Sequence, residues 1–167
     1  MVVYEDAPAR DLAIDLCDRL VANFNRDLDF EFTWWRFKYF SDPEIAAQAL
    51  EAATSADLII VLAHRVEDFT ADVQAWFEAW PSKRDKSEGV LVLVQTPADL
   101  RNPLNLHHSY LRLVAHRARL DYLSILSPNP AFEPRHNSQA NEGVASPAIF
   151  DMVSTQQHHY SGWGINE

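Results

Sequence analysis

Cysteine occurs once in this chain, at Cys17, and glycine only four times. A single thiol forms no intrachain disulfide and builds no thiolate zinc site. With so little glycine there is no G-x-G-x-x-G and no P-loop, the turns in which glycine lets backbone amides close on a phosphate. No G-x-S-x-G elbow presents a serine nucleophile. No apolar run approaches the roughly 20 residues that a membrane-spanning helix needs. Basic side chains are outnumbered: 14 Lys and Arg face 24 Asp and Glu, for a formal charge of -10. Such a field repels a nucleic-acid backbone, and no basic stripe interrupts it. We therefore expect neither a nucleic-acid nor a membrane partner. The opening segment MVVYEDAPARD has no basic region followed by an apolar one, so the expected location is cytoplasmic.

What the chain does contain is a globular amount of apolar residue, 47% of 167. The stretch from Ala56 onward, ADLIIVLAHRVEDFTADVQAWFEAW, is the clearest part of the pattern. Leu58, Ile59, Ile60, Val61 and Leu62 are apolar at every position, which marks a strand covered on both faces. Residues 90–94 repeat that pattern after Gly89. Shorter strands are expected over 2–5 and 121–126, and an aromatic and β-branched one over 29–40, with Trp34 and Trp35 on opposite sides. Between them lie helical spacings. One starts near Pro8 and carries Leu12, Ala13, Leu16, Cys17 and Leu20; the next is capped by Ser41 or Asp42 with Pro43 at its first position. A third is capped by Thr70 and stopped by Pro81, and a fourth spans 107–120.

Strands alternating with helices in this way give right-handed crossovers and a parallel sheet. The expected fold class is α/β, a three-layer sandwich with a five-stranded parallel sheet in the order 2-1-3-4-5. Residues 1–128 form this domain. Pro128, Pro130, Pro134 and Pro147 then interrupt a polar segment, so 129–167 is expected as an extended tail. Within it, 148–153 suits a short helix or strand, and the terminal YSGWGINE suits docking on the body or on a partner.

In such folds ligands sit outside the carboxyl ends of the strands. That rule singles out Glu5 and Asp6 after the first strand, His64 and Arg65 after the third, and Gln95 and Thr96 after the fourth. Paired carboxylates at Glu5 and Asp6 suit Mg²⁺ with water completing its shell, or a cap on the first helix. His64 suits a general base or a polar residue closing a strand end. The adjacent pairs His107-His108 and His158-His159 point to different faces if helical, so neither chelates one metal. Arg112, His116, Arg117 and Arg119 suit a solvated helix face.

Two families share this order of elements. With Glu5 and Asp6, Thr96 after the fourth strand and Ser127-Pro128 after the fifth, the chain resembles a response-regulator receiver domain. Ala63-His64 stands where a receiver's phosphorylated aspartate would be, and the lysine before the last proline is missing, so the resemblance implies an atypical receiver. The segment ADLIIVLAHRVEDFTADVQAWFEAW also resembles the flavodoxin-like FMN reductases. In those proteins a Ser/Thr-rich loop holds the FMN phosphate. Here that loop reads Glu5-Asp6-Ala7-Pro8-Ala9-Arg10, with two carboxylates and a proline, which sets FMN aside as the lead. The resulting expectation is a non-catalytic regulatory or protein-interaction module, acting through an aromatic patch around Trp34, Trp35, Phe37 and Tyr39 or through the tail. The alternative is a flavodoxin-like oxidoreductase or small-molecule-binding protein using the crevice at the strand ends.

Overall fold

The computed structural model describes residues 1–63, 69–86, 88–96 and 106–127. The elements are β1 (Val2–Tyr4), α1 (Ala7–Phe24), β2 (Trp34–Arg36), α2 (Pro43–Ser55), β3 (Leu58–Leu62), α3 (Ala71–Ala79), β4 (Val90–Gln95), α4 (Leu106–Arg117) and β5 (Asp121–Leu126). All five strands are parallel, in the order β2-β1-β3-β4-β5. This is the flavodoxin-like order, with the switch point between β1 and β3. The tail over 129–167 lies outside the described residues.

Strand periodicity sorts the sheet into two faces. Val3, Ile59, Val61, Leu91 and Leu93 pack with Ala49 and Ala53 of α2, with Val73, Trp76 and Phe77 of α3, and with Leu111, Val114 and Ala115 of α4. Val2, Tyr4, Ile60, Leu62, Val92 and Val94 pack with Ala9, Leu12, Ala13 and Cys17 of α1. Three helices therefore serve one face and α1 serves the other. The handedness rule explains the division: only the β1-to-β2 connection moves toward the β2 edge.

The second strand is shorter than the 29–40 expected. It spans Trp34–Arg36 and passes into a 3-10 turn at Phe37–Ser41. Its one sheet neighbour, β1, offers only Val2 to Tyr4, so the ladder ends after three pairs. Both tryptophans go to cores: Trp34 packs on the α1 side and Trp35 on the other. Phe37 is buried and stacks edge-on against Phe69 and Phe77. The expected outward aromatic patch is thus largely interior, because both faces of the strand are covered. Half-buried Tyr39 keeps an outer position, with the Lys38 ammonium 4.7 Å above its ring.

Asp42 caps α2, its Oδ1 accepting from the amides of Glu44 and Ile45. Thr70 holds the equivalent position before α3 without a side-chain cap bond. The other end of α2 has no basic residue in its last turn. Its cations come from 30 residues away. Arg84 lies buried and donates Nη1 to the carbonyls of Ala53, Thr54 and Ala56, at 3.2, 3.4 and 2.7 Å. Its Nη2 donates to Glu88 at 2.6 Å. Lys86 reaches the Ser55 carbonyl and the Asp57 carboxylate, at 3.0 and 2.7 Å. These are orphan carbonyls of a helix end, and a positive group there also meets the negative end of the helix dipole. The Lys86 hydrogen bond holds the Asp57 carboxyl below its ordinary range.

Gly89 makes room for this arrangement. Its φ is +138°, and a Cβ there would lie 2.7 Å from Arg84 Nη2 and 2.8 Å from the Asp57 carbonyl. Gly89→Ala therefore combines backbone strain with displacement of the guanidinium. Arg84→Ala leaves buried carbonyls unmet, and Arg84→Lys supplies a point charge where a planar fork is needed. We expect Gly89→Ala and Arg84→Ala each to cost on the order of 3 kcal/mol in urea denaturation, and Arg84→Lys to recover less than half of the loss. Near-native midpoints would show that this knot is dispensable.

Burial pushes the Cys17 thiol up to about 12 from an ordinary 9.0. Below pH 9 both folded and unfolded chains keep the proton, so the thiol adds no pH dependence. Between pH 9 and 12 only the unfolded chain loses it, and stability falls with rising pH by up to about 1.4 kcal/mol per unit. A thiol reagent at pH 8 should leave native protein unlabelled and label one equivalent in denaturant; fast native labelling would contradict the packing of α1.

Candidate functional site at the carboxyl ends of the strands

Tyr4, Leu62 and Val94 lie in register across β1, β3 and β4, so the residues just beyond them share one edge of the sheet. Glu5 continues the pairing by one residue, its amide donating to the Leu62 carbonyl at 3.1 Å. With strands about 4.8 Å apart, Glu5 and Gln95 face each other across β3 at roughly 10 Å. The structure thus brings Glu5, Asp6, Gln95 and Thr96 to one edge. His64 and Arg65, expected between them, lie outside the described residues.

Each of the four has a visible local role. Asp6 is extended, at φ -148° and ψ -176°, and its Oδ1 accepts from the Ala9 amide at 3.1 Å while its carbonyl accepts from Arg10. It is the N-cap of α1, so its negative charge meets the positive helix end. The Glu5 carbonyl accepts from Arg36 Nε at 3.5 Å, which ties the β2 end to the same edge. Gln95 is buried, with Oε1 accepting from Ser124 Oγ at 2.6 Å and its carbonyl accepting from the Ser127 amide at 2.7 Å. Thr96 and Ser127 are buried beside it. The β4–β5 end is therefore a polar knot in an otherwise apolar sheet. Ser124 is a member that the sequence does not single out, because only the β4–β5 register brings it to Gln95; Ser127, noted in the sequence for its place before Pro128, joins it there.

Chemically the edge offers carboxylate, carboxamide and hydroxyl oxygens. Two adjacent carboxylates with water suit a hard cation such as Mg²⁺. Among the described residues, no group of three or more His, Cys, Asp or Glu is placed to hold a metal. The two helical histidines diverge as their spacing requires: His107 stacks on Phe69, with centroids 4.2 Å apart, and His108 Nδ1 lies 3.1 Å from Tyr122 Oη. Arg117 pairs with Glu78, which also accepts from Tyr110 Oη. Burial and the nearby Glu78 charge raise the Tyr110 phenol above its ordinary range. The basic cluster is a partly neutralised helix face. No helix of the described residues is long and apolar enough to cross a membrane.

No protein-family model, curated protein or solved structure matches the chain. The flavodoxin-like architecture rests on strand order and direction.

If the Asp6 carboxylate acts as the α1 cap, Asp6→Ala lowers stability by about 1 kcal/mol and Asp6→Asn by only a few tenths. Thermal unfolding of the two variants decides it. Equal losses would mean that the charge, rather than the capping bond, is what Asp6 supplies.

Proposed function

We propose that this chain is a non-catalytic regulatory or protein-interaction module, receiver-like in architecture and altered in its phosphorylation chemistry. The observation that carries the reading is the β5 side of the molecule. Among the described residues β5 pairs only with β4; its last residue, Leu126, is 50% exposed, and α4, which packs on it, leaves Leu106 and Leu113 at 49% and 54%. An unpaired strand edge flanked by apolar side chains favours a protein partner. The engaged surface is α4 with the outer edge of β5. At the opposite corner, Glu5 and Asp6 would hold Mg²⁺, and such binding is the route by which the module would sense a phosphoryl group.

The loop before α1 weakens the flavin reading. Pro8 brings no amide hydrogen, the Ala9 amide is already bound to Asp6, and the two carboxylates repel a phosphate. A small-molecule-binding protein remains the second reading, favoured by the buried Gln95, Thr96 and Ser127 at the strand ends. An FMN titration followed by flavin fluorescence, with a visible spectrum of the untreated protein, separates the two. We expect a colourless preparation and no saturable binding at micromolar FMN. A yellow protein or saturable binding would replace the regulatory reading with a flavin-dependent one.

A further inference from the structure

The two edges of the sheet are finished differently. β2 is three residues long, carries Arg36 and passes at once into a 3-10 turn. Shortness and charge are devices that keep an edge strand from pairing. β5 uses neither. It follows β4 in unbroken register from Asp121 to Leu126, and the stretch Tyr122 to Leu126 contains no charge and no proline. Among the described residues no strand lies on its outer side. Leu123 and Leu126 are 52% and 50% exposed, and Ser124 is exposed between them.

The backbone shows which groups are left over. The Asp121 amide donates to the Gly89 carbonyl and the Ser127 amide to the Gln95 carbonyl, at 3.0 and 2.7 Å. In a parallel ladder alternate residues turn their N–H and C=O to the same neighbour. The odd-numbered residues of β5 therefore face β4, and Tyr122, Ser124 and Leu126 aim their backbone groups outward. Side chains alternate too. Tyr122 packs on the core under α4 and Ile125 on the core under α1, so Ser124 and Leu126 share the first face and Leu123 the second.

These residues are arranged symmetrically about Ser124. Two antiparallel copies of β5 must set outward residues opposite outward residues. With Ser124 opposite Ser124 of the second copy, Tyr122 lies opposite Leu126 and Leu123 opposite Ile125. Every outward backbone group then finds a partner, and every apolar side chain meets an apolar one. A shift of two residues either way sets apolar side chains against Ser124 and, on the other face, against Asp121 or Ser127. In polarity the run Tyr-Leu-Ser-Ile-Leu reads the same in both directions, which is the self-complementarity that an isologous interface needs. Charge agrees. At a net charge of -10, two copies meet most easily where carboxylates are lacking. The one carboxylate of β5, Asp121, falls opposite Ser127 and not opposite itself.

We infer that β5 pairs antiparallel with β5 of a second copy, about a two-fold axis at Ser124, joining the two sheets into one. This rests on the reading of β5 as a partner surface and names the partner. One strand pair buries less than the roughly 800 Å² per partner of a standard interface, so the dimer is a weak one that forms in the micromolar range.

Sedimentation velocity of the full chain between about 1 and 500 μM should show monomer passing to dimer; monomer throughout overturns the inference. Ser124→Pro removes the central outward N–H and no bond to β4, so it should weaken dimerisation at least about tenfold. Ser124→Ala loses only the Gln95 contact and should dimerise as the unaltered chain does. A dimer indifferent to the proline uses another surface, which also overturns the inference. If Ser124→Pro fails to fold, Leu123→Lys sets a charge in the same interface and is read in its place. Oxidation with copper phenanthroline tests the axis. Ser124→Cys meets its own copy and should crosslink at least about tenfold faster than Leu123→Cys, which faces Ile125; equal rates overturn the register. Saturable FMN binding would end the regulatory reading without touching these results. A monomeric chain would end this inference and leave the regulatory reading to a different protein partner.

Discussion

All five strands point the same way, and that one constraint organises the molecule. A parallel strand is joined to its neighbour only by a crossover, and each crossover must lie on a face of the sheet. Because β1 steps one way and the later strands step the other, three helices fall on one side and one on the other. The larger core follows from this: Phe37, Phe40, Phe69, Trp76, Phe77 and Trp80 all gather under α2, α3 and α4. The smaller core under α1 is mainly aliphatic, with Tyr4 buried in it, Phe32 and Trp34 packed against it and Cys17 sealed inside. The oxygens of Glu5, Asp6, Gln95 and Thr96 lie at the carboxyl edge, just beyond the ends of β1 and β4.

The two ends of the sheet are built on different principles. At the amino edge a single guanidinium gathers the last carbonyls of α2 and the turn before β4, and glycine is the one residue that leaves space for it. Here cations answer backbone dipoles, and the exposed pair of Lys86 and Asp57 adds only a screened contact. At the carboxyl edge the polar groups satisfy each other through side chains, Gln95 with Ser124 and Asp6 with the start of α1. A rigid base and a polar, side-chain-built rim are a familiar division between a scaffold and the place where partners or ligands are met.

Much of this was legible in the residues. β3 and β4 announce themselves because a run that is apolar at every position has nowhere to go but the middle of a covered sheet. Asp6, Asp42, Pro8 and Pro43 mark two helix starts through local hydrogen bonding alone. The sequence overstates β2 because aromatic content reports burial, whereas strand length is set by the partner, and β1 is short. Arg84 was invisible within a segment that looks charged and turn-like, since its acceptors are backbone carbonyls, which carry no sequence signature. The Gln95–Ser124 pair was hidden for a related reason: it exists only once the β4–β5 register is fixed.

The aromatic gathering under α3 has an optical consequence. Trp76 and Trp80 sit one helical turn apart with ring centres 6.1 Å from each other and planes inclined by 48°, and Phe40 leans on Trp76 at 4.7 Å. Indoles fixed at such an angle in an asymmetric interior absorb left- and right-circularly polarised near-ultraviolet light unequally. Rings that tumble in a loosened, still helical state lose that difference. This chain therefore carries a built-in spectroscopic gauge of side-chain order, independent of its backbone content, located in the core that joins α2, α3 and α4 to the sheet.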